Sequence, residues 1–493
     1  MGYYIGADLG TSSLKLMLVA ENGKIIKSAT REYDVIYPRI GWSEQKPSDW
    51  WEAFVSGMSE LLSGVDSSLV RGIGVAGQMH GLVALDSQDN VIRPAILWND
   101  GRTQSAVDYL NNDIGKAALA ELTANIAFAG FTAPKLLWMK ENEAENFAKI
   151  NKIMLPKDYI NYLLTGVHAT DLSDASGMLL LDVKNRCWSE KMLEICSLDK
   201  SVCPALYESY EVIGKVKSDV AELLGIESDV IVIAGAGDNA AAAIGTATVG
   251  EGRCNISLGT SGTVFISSEK FSLDSNNALH SFCHSDGGYH LMGCILSAAS
   301  CNKWFCEKVI GTKDYRAISE KITDDKLGKN NVFFLPYLMG ERSPINDTNA
   351  TGMFIGLNPE TDAAQMLAAV YEGVAFAIRD NIEVARSLGI DIKRSTVCGG
   401  GAKSKLWLKI LANILAIELD VPMSEEGPGY GTAILAMTAD GAYAGVKDAA
   451  SALVGIKETV KPDAELVKLY EERYNKYKQI YPAVKNLYKE IKE

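Results

Sequence analysis

The chain contains nearly the same turn sequence twice. Asp8-Leu9-Gly10-Thr11-Ser12-Ser13 stands near the start, and Ser257-Leu258-Gly259-Thr260-Ser261-Gly262 stands in the middle. Each copy lies between two runs of β-forming residues, at 3–7 and 14–20 and again at 254–258 and 263–267. Glycine and hydroxyl residues between two such runs are typical of a tight β-hairpin turn. The repetition predicts a fold made of two related halves.

Turns of this composition can bind an anion. Glycine lets a ligand come close to the backbone, and successive N–H groups and hydroxyls form a small concave donor site. Either copy alone could instead be an ordinary hairpin that binds no ligand. Because the turn occurs twice with matching strands on both sides, we interpret the two turns as binding one polyphosphate.

The length and the element pattern indicate two domains. At 493 residues and 53.3 kDa the chain exceeds what one core normally supports. Strand patterns alternate with long helical patterns in both halves, which predicts an α/β protein with two related lobes and a cleft between them. We place a first lobe at 1–250, a second at 251–450 and an amphipathic helical tail at 451–493.

Charge and composition exclude several classes of partner. The chain has 48 Lys and Arg against 62 Asp and Glu, a net charge of −14. This argues against nucleic acid or an anionic membrane as the main partner. The chain shows no signal-peptide pattern and no long apolar run, and its nine scattered cysteines are typical of reduced core thiols. We therefore expect a cytoplasmic protein, and the sequence leaves a homodimer open.

Asp238 is the strongest candidate for catalysis. The stretch 231–243 predicts a buried strand, a glycine turn and a helix start, with Asp238 at the tip. An aspartate there could simply cap the helix. A carboxylate at a strand end that faces a cleft could instead accept a proton from a hydroxyl that attacks a phosphoryl group. The helix N-terminus would then keep Asp238 ionised.

Two further segments carry polar or glycine-rich patterns. Residues 398–404, CGGGAKS, follow a strand and open a helix, so they could hold phosphates, ribose or adenine, or could only permit close packing. They do not form a Walker A loop. Residues 77–81, GQMHG, place His80 near Gln78, Asn99, Asp100 and Arg102, a set of groups suited to a polyol, although a lone histidine is more often a core residue.

No group of residues has the spacing of a protein-only metal site. A magnesium ion carried by a nucleotide needs only one or two carboxylates and waters. Asp8, next to the first turn, is the candidate, and its alternative role is to stabilise that turn.

Taken together, the motifs resemble the FGGY carbohydrate kinases, which share the superfold of actin, hexokinase and Hsp70, a duplicated ribonuclease H-like fold. Two long segments carry the resemblance, 130–142 and 352–372, and shorter ones stand at 41–45, 155–159 and 340–344. The likeness extends from about residue 4 to residue 444. It implies a sugar kinase that uses ATP and Mg²⁺.

The resemblance also implies roles for individual residues. It gives proton abstraction to Asp238, sugar contacts to Met79, His80, Asp238 and Asn239, phosphate contacts to Gly10, Thr11, Gly259 and Thr260, adenosine contacts to Gly400, Gly401 and Ala402, and water-mediated magnesium binding to Asp8. One departure is 427–432, GPGYGT, where the family more often has a plainer helix entry, so the outer edge of the nucleotide site is less well defined.

Within the family, the GQMHG, WNDGR and GAGDNAAAA segments are most similar to members that phosphorylate D-xylulose at O5. Ribulose, L-xylulose, gluconate and other polyols stay open as substrates, since few substitutions separate them. The rival from another class is an actin-like or Hsp70-like ATPase switch. An Hsp70-type function would need a peptide-binding domain after the ATPase, and the sequence beyond 450 predicts only the helical tail.

Overall fold

Each half of the chain forms one seven-stranded sheet in the computed structural model, which describes residues 2–424 and 426–492. The strands of the first sheet are β1 Tyr3–Leu9, β2 Ser13–Ala20, β3 Ile25–Glu32, β4 Val70–Gly77, β5 Val212–Lys215, β6 Ile231–Ile233 and β7 Ala236–Gly237. Those of the second are β8 Arg253–Leu258, β9 Gly262–Ser268, β10 His280–Cys283, β11 Tyr289–Ile295, β12 Arg394–Cys398, β13 Glu418–Pro422 and β14 Ile456–Val460.

The two sheets have the same internal order. The first runs β5-β6-β4-β1-β2-β3 with β7 beside the end of β4, and the second runs β10-β11-β9-β8-β12-β13-β14. In each sheet three antiparallel strands, β3-β2-β1 or β11-β9-β8, are followed by two parallel ones and an antiparallel edge strand. The second sheet has one more antiparallel strand, β10, at its other edge. The predicted α/β fold with two related lobes is confirmed. Both predicted hairpins are present, as β1–β2 and β8–β9.

Ten helices of the described residues, each of eight residues or more, are labelled α1 to α10. They are α1 Pro47–Leu62, α2 Thr132–Asn142, α3 Pro156–Thr165, α4 Asp238–Gly245, α5 Ala363–Ser387, α6 Lys405–Leu415, α7 Pro428–Ala439, α8 Val446–Leu453, α9 Ala464–Tyr477 and α10 Ile480–Lys492. Further helices, of four to eight residues, lie at Gln104–Asp108, Lys116–Thr123, Ala144–Phe147, Leu172–Ala175, Glu190–Ile195, Ser218–Leu224, Ala299–Trp304 and Tyr315–Ser319.

Short strand pairs outside the two main sheets complete the lobes. They are formed by Glu44–Gln45 with Ala95–Ile96, Val83–Leu85 with Lys152–Met154, Ala169–Asp171 with Ala205–Tyr207, Leu181–Asp182 with Cys187–Trp188, and Phe333–Leu335 with Met353–Ile355.

Helix α7 comes late in the chain but packs against the first sheet. Gly6 of β1 faces its first turn so closely that a Cβ on Gly6 would lie 1.8 Å from the carbonyl oxygen of Gly429. A Cβ on Gly431 would lie 1.9 Å from the carbonyl oxygen of Ala241 in α4. The unusual glycines of 427–432 therefore allow backbone-to-backbone packing between the lobes.

The predicted tail is part of the second lobe. Its first segment, β14, pairs with β13 at the sheet edge. The helical pattern at 463–493 forms two helices, α9 and α10, rather than one. Tyr470, Tyr474, Tyr477 and Tyr488 are buried in the second core. These buried aromatic rings account for the amphipathic pattern of the tail.

Candidate active site

The first turn is held by a network of side chains. The Gly10 N–H donates to the Ser13 carbonyl at 3.0 Å within the hairpin. The Thr11 hydroxyl donates to Gln78 Oε1 at 3.1 Å and accepts from Trp98 Nε1 at 2.9 Å. Gln78 was predicted to belong to a polyol site, and its side chain instead ties GQMHG to the first turn.

The second turn is anchored to the start of the helix that follows β11. The Gly259 carbonyl accepts from the Ala299 N–H at 2.8 Å, and the Thr260 carbonyl accepts from the Ser300 hydroxyl at 2.7 Å. Gly399 packs directly behind this turn with φ at +87°, and a Cβ there would lie 2.8 Å from the Leu258 carbonyl. The three-glycine segment and the second turn therefore form one wall.

A cavity of about 1100 Å³ opens beside this wall. Thr260, Gly400 and Gly401 line it, as the sequence predicted for a nucleotide. The lining also has an excess of cationic side chains, with Lys303, Arg316, Lys403, Lys405 and Lys409 against Glu320 and Asp324. Apart from Gly400 and its two chain neighbours, no atom of the described residues lies within 4 Å of the position that a Cβ on Gly400 would occupy, so a ligand can reach this backbone. The volume and the charge suit a nucleotide polyphosphate.

Ala402 has a different place from the other predicted adenosine contacts. It lines a separate cavity of about 250 Å³ on the far side of the glycine segment, together with Gly399 and Met423. The structure therefore does not bring Ala402 together with Gly400 and Gly401 at the large cavity.

Asp238 is the first helical residue of α4. The capping position belongs to Gly237, so Asp238 is not the N-cap that the alternative reading required. Its Oδ1 accepts from the Asn239 N–H at 2.7 Å and from Asn239 Nδ2 at 2.9 Å. Burial outweighs these two bonds and raises the pKa of Asp238 to about 6. The Asn239 N–H at the helix start lowers this pKa, as expected of a helix N-terminus, but burial has the larger effect.

Asp8 lies close enough to Asp238 for the two charges to repel. Burial and Asp238 raise the pKa of Asp8 to about 7, against the effect of Lys15 on the neighbouring strand. Lys15 in turn pairs with Glu426 just before α7, with its Nζ 2.6 Å from Oε1. A divalent cation would relieve the repulsion between the two aspartates. Among residues 2–424 and 426–492 no cluster of three His, Cys, Asp or Glu could hold a metal, so phosphate and water would supply the other ligands.

His80 occupies a strained turn beside the same site. Its φ is +69°, and Nδ1 donates to the Gly177 carbonyl at 2.7 Å, which leaves Nε2 as an acceptor. Burial, Lys135 and Arg342 lower the pKa of His80 to about 3, so the ring is neutral. It is half-buried and therefore not an enclosed core residue.

Met79 and Asn239 flank this site on the Asp238 side. Met79 is buried against the turn that carries Asp238, since a Cβ on Gly237 would lie 3.1 Å from Met79 Cγ. Met79 therefore supports the Asp238 turn, whereas Asn239 is half-buried next to the carboxylate.

Two of the residues predicted to bind a polyol are occupied by structural contacts. Arg102 and Asp100 form a fully buried ion pair at 2.7 Å, and Arg102 also pairs with Glu44 at 2.7 Å. The guanidinium lies 3.8 Å from the centre of the Trp42 ring. The predicted polyol cluster around Asp100 and Arg102 is therefore wrong.

A buried lysine behind Asp238 was missed by the sequence analysis. Lys157 of α3 pairs with Asp158 at 2.6 Å and Asp171 at 2.9 Å, and lies 3.9 Å from Asp174. Its Nζ also donates to the Ala234 carbonyl at 3.3 Å, in the link between β6 and β7. Lys157 therefore fixes the segment that ends in Asp238. The charged segment LPKDY at 155–159 was the available signal.

Comparison with known proteins identifies the family. The model of the FGGY family of carbohydrate kinases, N-terminal domain, matches residues 3–245, and the model of its C-terminal domain matches residues 254–439. The chain belongs to the FGGY carbohydrate kinases. It is therefore a phosphotransferase that acts on a sugar hydroxyl.

Several named proteins are similar to this kinase over nearly their whole length. A xylulose kinase of Escherichia coli K12 is 40% identical over 97% of this chain and 98% of that protein. The crystal structure of a xyloylose kinase from Brucella ovis has a TM-score of 0.93 at 39% identity, covering 98% and 100% of the two chains. A gluconate kinase from Lactobacillus acidophilus has the same TM-score at 26% identity, covering 99% of each chain. In the described part of the kinase, every helix is too short or too polar to cross a membrane.

Proposed function

We propose that this kinase transfers the γ-phosphoryl group of ATP to O5 of D-xylulose, with Asp238 as the general base. The observation that carries the proposal is the position of Asp238, half-buried beside Asp8 and next to the His80 turn. The likeness to xylulose kinases over nearly the full chain supports the choice of sugar.

The two lobes would contribute different residues to substrate binding. The large cavity of the second lobe would take the nucleotide, with its phosphates directed towards Gly259 and Thr260. Gly10 and Thr11 would approach the same phosphates from the first lobe. Mg²⁺, when bound with the nucleotide, would neutralise phosphate charge, and Asp8 is the carboxylate placed to hold it through water.

Asp238 would orient the sugar hydroxyl and accept its proton. The raised pKa of about 6 makes this carboxylate a stronger base than an ordinary aspartate, yet it stays mostly ionised at pH 7. Neutral His80 would accept a hydrogen bond from another sugar hydroxyl at Nε2. Asn239 would contribute amide donors on the same side.

A substrate panel tests the choice of sugar. We expect the highest kcat/KM with D-xylulose when D-xylulose, L-xylulose, D-ribulose and D-gluconate are compared in a coupled ADP-release assay. A higher kcat/KM with any other member of the panel would replace D-xylulose in the proposal. A homodimer, a cytoplasmic location and the absence of a nucleic-acid partner stay predictions.

Replacing His80 by alanine should weaken sugar binding far more than nucleotide binding. The hydrogen bond from a sugar hydroxyl to Nε2 is lost, and a net loss of roughly 1–3 kcal/mol raises KM for the sugar about 5- to 150-fold. KM for ATP should stay within about twofold. Steady-state kinetics of His80→Ala and of a matched control, His168→Ala, provide the measurement. His168 is also half-buried and donates from Nε2 to a backbone carbonyl, that of Ile153, at 3.0 Å. Equal rises for both ligands, or equal effects of both variants, would show that His80 acts only in packing.

The lobes should close when both substrates bind. The two glycine turns lie on different lobes, so both can contact one triphosphate only if the cleft narrows around it. Small-angle scattering should give a smaller radius of gyration with D-xylulose and a non-hydrolysable ATP analogue than without ligands. Superimposable scattering curves with and without ligands would contradict closure. A matched measurement with L-glucose in place of D-xylulose controls for the effect of the nucleotide alone.

A further inference from the structure

Arg342 of the second lobe has an unusual environment. It follows Glu341 in the segment 340–344, which has no role in the proposed mechanism. Its Nε atom is buried and donates to no acceptor in the part of the chain that the structure describes. No carboxylate among these residues forms an ion pair with its guanidinium. Arg342 is half-buried, and a guanidinium Nε–H that is buried without an acceptor is costly, so its retention points to a ligand.

The position of Arg342 is fixed by the chain around it. Glu341 Oε1 accepts from the Leu296 N–H at 2.9 Å and from the Arg342 N–H at 2.8 Å. Leu296 follows β11 and precedes the helix that anchors the second turn. The segment that carries Arg342 is therefore connected to the wall of the nucleotide cavity.

The Arg342 side chain reaches the first lobe near His80. Its guanidinium lies 4.3 Å from the centre of the Phe128 ring. Phe128 packs against Phe131 at 5.6 Å between ring centres, and Phe131 packs against His80 at 4.6 Å. The charge of Arg342 also contributes to the low pKa of His80. Arg342 therefore stands on the His80 side of the site.

A second guanidinium nitrogen of Arg342 already has a hydrogen-bond acceptor within the protein. The NH2 nitrogen of Arg342 donates to His280 Nε2 at 2.8 Å, while His280 Nδ1 donates to Asn125 Oδ1 at 3.1 Å. This bridge joins β10 to the first lobe and holds the guanidinium in one orientation. The Nε–H therefore has a fixed direction and no acceptor, so it can donate to a ligand oxygen.

We propose that Arg342 is a sugar-binding residue supplied by the second lobe, and that its Nε–H donates to an oxygen on C1 or C2 of the ketose. This rests on the proposed function, in which O5 lies at Asp238. The His80 turn packs against the Asp238 turn, and Arg342 lies beyond His80, next to Phe128, so it would contact the end of the sugar away from O5. The sugar would then bridge both lobes, with His80 on one side and Arg342 on the other, so that sugar binding itself favours closure.

The test compares Arg342→Gln with His280→Gln, a neighbouring change whose side-chain carbonyl can still accept from the NH2 nitrogen and which leaves the Nε–H in place. Loss of a hydrogen bond from a charged donor should raise KM for D-xylulose about 10- to 150-fold in Arg342→Gln, with KM for ATP within about twofold. His280→Gln should stay within about threefold. Circular dichroism and thermal melting check that each variant is folded. If Arg342→Gln does not fold, Arg342→Lys takes its place, because lysine keeps the charge but lacks Nε.

Substrate analogues separate direct contact from packing. The wild-type kinase should discriminate against 1-deoxy-D-xylulose, which lacks the C1 hydroxyl, or against xylitol and D-arabinitol, in which the C2 carbonyl is reduced. In Arg342→Gln that discrimination should fall to less than about threefold. Three outcomes would overturn the proposal: unchanged KM for D-xylulose in Arg342→Gln, an equal rise in His280→Gln, or unchanged discrimination among the analogues. A wild-type kinase inactive on D-xylulose would instead overturn the proposed function.

Discussion

Asp238→Asn should lose at least about a hundredfold in kcat, because an amide cannot accept the proton of the attacking hydroxyl. Asparagine has the same shape and can still accept a hydrogen bond from Asn239, so the start of α4 should keep its geometry. Coupled ADP release measures turnover. Isothermal titration with D-xylulose and, separately, with ATP should give dissociation constants close to those of the wild type.

A second isosteric change controls for this experiment. Asp463 caps α9 through the N–H groups of Glu465 and Leu466, far along the chain in the second lobe. Asp463→Asn should leave turnover within about twofold, since asparagine is an equally good cap. Near-normal turnover in a folded Asp238→Asn protein would remove Asp238 from the mechanism.

The second large effect concerns stability. Lys157→Met should lower the free energy of unfolding by about 3–5 kcal/mol, because it leaves Asp158 and Asp171 buried without their cation. Lys152→Met is the matched control, since Lys152 pairs with Asp89 at a partly exposed site and should cost about 1 kcal/mol or less. Urea unfolding monitored by circular dichroism measures both. Similar losses in the two variants would show that the buried cluster is not held by Lys157.

Local patterns predicted the parts of the fold that depend on neighbouring residues. The two glycine turns and their strands were predicted because alternation and turn chemistry are local. The helical pattern at 363–388 likewise predicts α5 to within one residue. The helical pattern at 44–62 predicts α1, which begins at Pro47 rather than at Glu44 because Glu44 and Gln45 pair with Ala95–Ile96 and proline favours the first helical position.

The partners of polar side chains could not be predicted in the same way. Asp100, Arg102 and Gln78 carry groups that suit a sugar, and their sequence positions are compatible with one. Their partners, Glu44 and Thr11, come from other segments, and only the fold determines those distances. Likewise Lys157 and Arg342 were part of recognised segments, but burial and an unmatched hydrogen-bond donor can be recognised only in three dimensions.

The position of α7 has a consequence for biosynthesis. The hydrophobic cluster beneath it joins Tyr4, Met17 and Ile233 to Tyr430, Ile434 and Met437, so the first sheet is complete on this face only when residues near 440 are present. During translation the ribosome would release more than 400 residues before that face could be covered. The nascent first lobe would meanwhile expose apolar strands, a state in which chaperones or slow elongation have the greatest effect on yield.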